Sequence, residues 1–150
     1  MAKVKYDIEN QGNTSAILSE AKSTYGLQTY ISLFSSAGIG CYGFKEEGFY
    51  CIATVELLER RLKIQSYNHK CVYNSGYICG DMTMPETKEK IFSELDFWKK
   101  GYNITDLDVL IATPPCQGMS VANQKKKDEL KRNSLVVESI KMTKQIKPKF

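Results

Sequence analysis

The stretch from Asp106 to Ser120 constrains the fold most tightly. Val109-Leu-Ile-Ala112 is a short apolar run without alternation, and it runs into two consecutive prolines. A run of that kind reads as a strand buried on both faces of a parallel sheet. Pro114 and Pro115 remove two backbone donors and fix φ, so the strand must end there and hand the next residue to a stiff loop. That residue is Cys116. Open α/β sheets place their ligands at the carboxyl ends of parallel strands, and a cysteine thiolate held there is a strong nucleophile. A free cysteine without such a context is more often a small buried hydrophobe, so the rest of the chain has to decide between the two.

Upstream, Thr29-Tyr-Ile-Ser-Leu-Phe34 is a strand of β-branched and aromatic residues that leads directly into the glycine-bearing loop Ser35-Ser-Ala-Gly-Ile-Gly-Cys-Tyr-Gly-Phe44. A second strand, Tyr50 to Val55, ends on Glu56, and a helix follows from Leu57 to about Ser66, with Leu58 and Leu62 on one face. A third short strand, Tyr77-Ile-Cys79, ends on Gly80-Asp81. Ile91, Leu95 and Trp98 then recur at helical spacing, predicting an amphipathic helix from Glu86 to Lys100 with Trp98 in the core. The strand before the prolines comes next, and the last predicted helix runs from Ser134 to Gln145. Strands alternating with helices at these distances indicate a parallel α/β sheet with right-handed crossovers. Residues 1–26 form a polar extension with a turn at Asn10-Gln-Gly-Asn13 and a short helix from Thr14 or Ser15 through Lys22.

With 150 residues, 42% hydrophobic and 25% charged, the chain has material for one cored domain. No apolar run is long enough to span a bilayer, and the first residues lack the apolar core of a secretory signal, which predicts a cytoplasmic protein. Five cysteines form no C-x-x-C pair, and a single histidine leaves no zinc-like cluster, so no metal is expected. The formal net charge of +4 permits an anionic partner without demanding one. Much of the basic charge sits in Lys125-Lys-Lys-Asp-Glu-Leu-Lys-Arg132, which reads either as a solvated segment or as a phosphate contact.

Gly38-Ile-Gly-Cys-Tyr-Gly43 satisfies G-x-G-x-x-G in the context the pattern requires: after a strand, opening a helix, with an acidic residue at the end of the next strand. That context points to an adenosine-containing cofactor, with Glu56 accepting from ribose hydroxyls and Gly38 and Gly40 kept free of side chains where the cofactor meets the backbone. Asp81 could accept from an adenine amino group, or could serve as a turn residue before Thr83. A nicotinamide dinucleotide and S-adenosylmethionine both bring an adenosine to this crevice. The Pro-Pro-Cys-Gln loop separates them, because hydride transfer has no use for a proline-held cysteine. Methylation of a pyrimidine carbon does: thiolate addition at C6 makes C5 of cytosine enamine-like and able to attack a sulfonium methyl group.

Ser32-Leu-Phe-Ser-Ser-Ala-Gly38, Glu56, Gly80-Asp81, Pro114-Pro-Cys-Gln-Gly-Met-Ser120 and Arg132-Asn-Ser-Leu135 resemble, in order, the amino-terminal motifs of the DNA (cytosine-5) methyltransferase family. The resemblance covers about residues 29–150. It implies a Rossmann-like S-adenosylmethionine-dependent methyltransferase fold, incomplete here, and a bacterial, nucleoid-associated modification enzyme acting on double-stranded DNA. It implies that Cys116 is the catalytic nucleophile. It also places Phe34, Ser35, Ala37, Gly38, Gly40, Glu56, Leu57, Asp81, Met82, Pro114 and Leu135 around S-adenosylmethionine or its product S-adenosylhomocysteine. Gln117, Ser120, Lys125, Lys126 and Arg132 fall on the DNA side, with the basic stretch from Lys125 in a mobile catalytic loop that closes on a flipped base.

Ser36 stands where the family usually has the first glycine of its cofactor loop, and Ile39 where a further glycine is common. The Glu-Asn-Val motif, whose glutamate protonates the cytosine ring, is absent, as are the later arginine motif and the target recognition domain. Residues 27–150 therefore read as a partial catalytic domain, inactive alone, with a second polypeptide as one source of the rest. Gly12-Asn-Thr14 and the helix after it faintly resemble the family's last motif, as in circularly permuted members. The alternatives are a dinucleotide-dependent oxidoreductase domain and a non-catalytic cofactor-binding subunit.

Overall fold

The computed structural model describes residues 26–115 and 129–150, with side chains in the second stretch from residue 134 onward. The elements in chain order are β1 (Thr29–Leu33), a 3-10 turn (Ile39–Cys41), α1 (Tyr42–Glu46), β2 (Tyr50–Glu56), α2 (Glu59–Tyr67), a second 3-10 turn (Asn74–Gly76), β3 (Tyr77–Cys79), α3 (Pro85–Tyr102), β4 (Val109–Ala112) and α4 (Glu129–Ile146). The four strands form one parallel sheet in the order β3-β2-β1-β4. This is the α/β architecture that the alternating pattern predicts. The predicted helix ending at Lys22 lies outside the described residues, as do Gly12-Asn-Thr14, Cys116, Gln117, Ser120, Lys125, Lys126 and the side chain of Arg132.

Residues alternate across the sheet because successive side chains of a strand point to opposite faces. Ile31 and Leu33 of β1 join Ile52 and Val55 of β2 on one face, under Ile91, Leu95 and Trp98 of α3 and Met142 and Ile146 of α4. Trp98 is fully buried there and donates its indole N–H to Glu94. Tyr30, Cys41, Cys51 and Cys71 make a smaller cluster on the other face. A register irregularity between Tyr30 and Ile31 pairs them with Cys51 and Ala53, which lets Ile52 and Ala53 both enter the larger core.

The helix α3 follows elementary end rules. Pro85 occupies the first turn, where its missing N–H costs nothing, with Glu86 beside it; Lys99 and Lys100 lie in the last turn, and Asn103 closes the helix at φ 52°. Its start packs tightly on the end of β3, where a Cβ on Gly80 would lie 2.3 Å from the Thr87 hydroxyl. Glu138 of α4 is paired with Lys88 of α3 and with Lys141, which lies 2.8 Å away on its own helix.

Three expectations need correction. Helix α4 begins at Glu129, five residues before the predicted Ser134. Helix α2 starts at Glu59 and not at Leu57, because Leu58 remains extended with its N–H given to the Glu56 carboxylate at 3.2 Å. β4 is half-buried, not buried on both faces. Its lack of alternation is nevertheless physical, since Leu110 and Ala112 pack on the larger cluster while Val109 and Ile111 pack on the smaller. It is the last of the four strands, and its outer edge pairs with residues 149–150, where Phe150 donates to Asp108 O and Leu110 donates to Phe150 O, both at 2.9 Å. Asp108 ties this edge to β1 by accepting from the Thr29 N–H at 2.7 Å.

Candidate active site

The strand order reverses between β1 and β4, and a parallel sheet opens a crevice at such a switch point. A cavity of about 560 Å³ lies at the carboxyl ends of all four strands, within the size range of small-molecule sites. β1 contributes Phe34 and Ser36, β2 contributes Val55 to Leu58, β3 contributes Gly80 to Thr83, and β4 contributes Thr113 and Pro115; Arg61 of α2 and Leu135 of α4 complete the wall. Pro115 is covalently joined to Cys116, so the wall of this cavity leads into the predicted nucleophile.

Glu56 is buried, and its carboxylate is already partnered. Oε2 accepts from Ser36 N–H at 2.8 Å; Oε1 accepts from Leu58 N–H and from Arg61, each at 3.2 Å. A carboxylate has about four acceptor positions, so Oε2 retains capacity for a ligand hydroxyl. Asp81 accepts from both the N–H and the hydroxyl of Thr83 through Oδ1, at 2.9 and 2.8 Å. The turn role predicted for it is thus present, and it faces the same cavity. The two carboxylates sit at the ends of adjacent strands, and Leu57, Leu58 and Met82 add apolar surface to the same cavity. A nucleoside offers that pair of surfaces, a ring and hydroxyl or amino donors.

The loop after β1 departs from a phosphate cradle. Such a cradle needs unspent backbone N–H groups at a helix start. Here Ser35 donates to Val55 O, Ser36 to Glu56 and Gly38 to Ser35 O, and the helix that follows is only five residues long. Gly38 has φ 87°, and a Cβ there would lie 3.0 Å from Gln65 Cγ, so glycine is required by the loop itself.

Of the residues expected around a cofactor, Phe34, Glu56, Leu57, Asp81, Met82 and Leu135 do line the cavity. Ser35 lies buried beside it, with its hydroxyl on Val55 O at 3.1 Å. Ala37 and Gly38 line a second cavity of about 390 Å³ on the far side of the loop, together with Tyr30, Gln65 and Lys70. A Cβ on Gly40 would meet nothing within 4 Å, so the protein itself gives no steric reason for that glycine. Pro114 is bracketed by two lining residues, Thr113 and Pro115, and is not itself part of the wall. Sequence reasoning missed Ser36, Leu58, Arg61, Thr83 and Thr113. All but Arg61 are within four residues of a strand's carboxyl end, which was the available signal.

Among the described residues no helix is long and apolar enough to cross a membrane. A family model for the C-5 cytosine-specific DNA methylase matches residues 28–150. The Type II methyltransferase M1.HgaI of Avibacterium volantium is 36% identical over 128 residues, 80% of this chain and 32% of the relative. M.DdeI of Desulfomicrobium norvegicum is 32% identical over 121 residues, 80% of this chain and 26% of that protein. M1.HphI of Haemophilus parahaemolyticus is 31% identical over 125 residues, 81% of this chain and 30% of that protein. The chain spans about a third or less of the length of these curated relatives.

Proposed function

Because the chain belongs to the C-5 cytosine-specific DNA methylase family, we propose that it is the cofactor-binding, nucleophile-bearing part of a DNA cytosine-5 methyltransferase of a bacterial restriction-modification system. The cofactor is S-adenosylmethionine, whose sulfonium carries the electrophilic methyl group. Glu56 accepts from the ribose, Asp81 from the adenine amino group, and Leu57 and Met82 supply the apolar walls. Phe34 and Leu135 close the same space. Cys116 would add through its thiolate to C6 of a cytosine flipped out of the duplex, and the bound cofactor would supply the methyl group to C5 and leave as S-adenosylhomocysteine. Loss of the C5 proton and expulsion of the thiolate complete the exchange. Gln117, Ser120, Lys125, Lys126 and Arg132 hold the DNA.

The observation that carries the cofactor assignment is the combination at the strand ends: acceptors at the carboxyl ends of β2 and β3 in a cavity also lined by Leu57, Leu58 and Met82, beside a loop in which the Ser35, Ser36 and Gly38 amides are already spent. A nucleoside without a pyrophosphate suits that arrangement, and a dinucleotide does not. Isothermal calorimetry tests it directly. S-adenosylhomocysteine should bind the chain and NAD should not; binding of NAD with no response to S-adenosylhomocysteine would promote the oxidoreductase reading.

A further inference from the structure

Three residues of the five-residue loop segment 34–38 have left-handed backbone: Phe34 at φ 55°, Ser36 at φ 50° and Gly38 at φ 87°. Ser36 is neither glycine nor asparagine, and a residue of that kind stays in this region only where its surroundings over-determine it. Both of its backbone polar groups are held. The N–H goes to Glu56 Oε2 at 2.8 Å, and the carbonyl accepts from Gln65 Nε2 at 2.6 Å.

Gln65 is a polar residue on the buried side of α2, 1% exposed. Its amide also donates to Ser35 Oγ at 2.9 Å, and its Oε1 accepts from the Thr54 hydroxyl at 2.8 Å. Thr54 in turn accepts from the Lys70 ammonium at 3.0 Å. A backbone carbonyl can only accept, so the Ser36 carbonyl requires Gln65 Nε2 to face it, which leaves Oε1 to accept from Thr54. Lys70 donates to Thr54 and Thr54 to Gln65 Oε1; the Gln65 amide then donates to Ser35 and Ser36, and Ser35 donates to Val55 O. A flipped Gln65 amide would put its oxygen against the Ser36 carbonyl oxygen and lose that bond. Each member is satisfied only in the observed sense.

We propose that Gln65 is a positioning residue for the cofactor site. It grips the Ser36 carbonyl from beneath the loop while Glu56 grips the N–H, and together they hold a non-glycine residue in the left-handed conformation that shapes the cavity wall. The serine at position 36, in a loop whose family usually has glycine there, is tolerated because α2 supplies this amide. The proposal rests on the S-adenosylmethionine reading only for its readout in affinity.

A two-by-two comparison tests it, with S-adenosylhomocysteine binding measured by calorimetry on the folded chain. Gln65→Met keeps the side-chain length and removes the amide; it should raise Kd about tenfold, the scale of one lost hydrogen bond. In a Ser36→Gly background the same substitution should change Kd less than about twofold, because glycine adopts positive φ without a clamp. Equal changes in the two backgrounds, or no change with Ser36 present, would overturn the proposal. A purely structural role would lower melting temperature equally in both backgrounds without this coupling. If Gln65→Met does not fold, Gln65→Glu takes its place, since it keeps the acceptor for Thr54 and loses the donor; wild-type affinity in that variant would also overturn it. Should the unmutated chain fail to bind S-adenosylhomocysteine, the cofactor reading falls, and amide hydrogen exchange of the ligand-free protein decides the clamp. Gln65 substitution should then speed exchange at Ser36 and leave β1 and β2 unchanged; an unaltered Ser36 amide would refute it.

Discussion

Replacing Glu56 with alanine separates the loop-supporting and ligand-binding roles of one carboxylate. In the free protein the substitution leaves two backbone donors without their acceptor, Ser36 N–H and Leu58 N–H. Both residues are exposed, so water can take up the freed donors, and the loss expected is about 1–2 kcal/mol, the net worth of one or two hydrogen bonds in one network. Arg61 contributes little to this figure, because its side chain is 42% exposed and its pairing is screened by solvent. A loss of that size leaves a domain of ordinary stability folded at 25 °C. For binding, the ribose loses a charged acceptor, worth about 1–3 kcal/mol, which corresponds to a Kd roughly five- to 150-fold higher. Urea titration gives the first quantity and calorimetry with S-adenosylhomocysteine the second. If the variant loses the stability but binds within about twofold of the unmutated chain, Glu56 is a loop brace only, and the assignment of ribose recognition to it is refuted.

Gly38→Ala should cost about 1–2 kcal/mol by thermal melting, the penalty of a Cβ in left-handed backbone, whereas Gly40→Ala, entering open space, should change stability by less than about 0.5 kcal/mol; equal losses at the two positions would contradict the loop geometry. Its bonds to Lys141 and Lys88 hold Glu138 below the usual carboxylate range. A depressed carboxylate stabilises the fold above its unfolded pKa and loses that contribution as pH falls through its folded value. Glu138→Gln should therefore lower the melting temperature at pH 7 and converge with the unmutated chain at the acid end; a constant difference would refute the linkage. Thiol labelling should modify Cys79, which is exposed, and Cys116 well before the buried Cys41, Cys51 and Cys71, and in a Cys79→Ser variant Cys116 alone should react fast. Protection of Cys116 equal to that of Cys51 would return it to the status of a core residue.

The strand ends were legible in the sequence because each is marked twice, by an apolar β-branched run and by what stops it. Glu56 ends the second strand, Gly80-Asp81 follows the third, and the two prolines lie just past the fourth; β3 and β4 have the predicted bounds. Trp98 was placed correctly because Ile91, Leu95 and Trp98 share one face of a long helix. The glycine loop was harder, because G-x-G-x-x-G states where side chains are absent and not where the amides go. In the structure the Gly38 amide is given to Ser35 O, and Gly38 faces Gln65 and the second cavity. Gln65 itself has no local signature. It is one polar residue at helical spacing from Leu62, and its role comes from three segments, residues 35–36, 54 and 70, that meet only in the folded chain.

The claim at the centre of this account is that Cys116 attacks C6 of cytosine in a site charged with S-adenosylmethionine. Covalent trapping on duplex DNA of mixed sequence containing 5-fluorocytosine measures it most directly, with these 150 residues alone and joined to the carboxyl-terminal remainder of a C-5 cytosine methylase. Without an acid at the cytosine ring, general acid catalysis worth about 10²–10⁴-fold is missing, so the 150 residues alone should trap little. The joined protein should give a denaturant-resistant complex that requires S-adenosylmethionine and disappears with Cys116→Ser. Efficient trapping by the 150 residues alone would show the added part to be dispensable, and a complex that survives Cys116→Ser would contradict the assignment of the nucleophile.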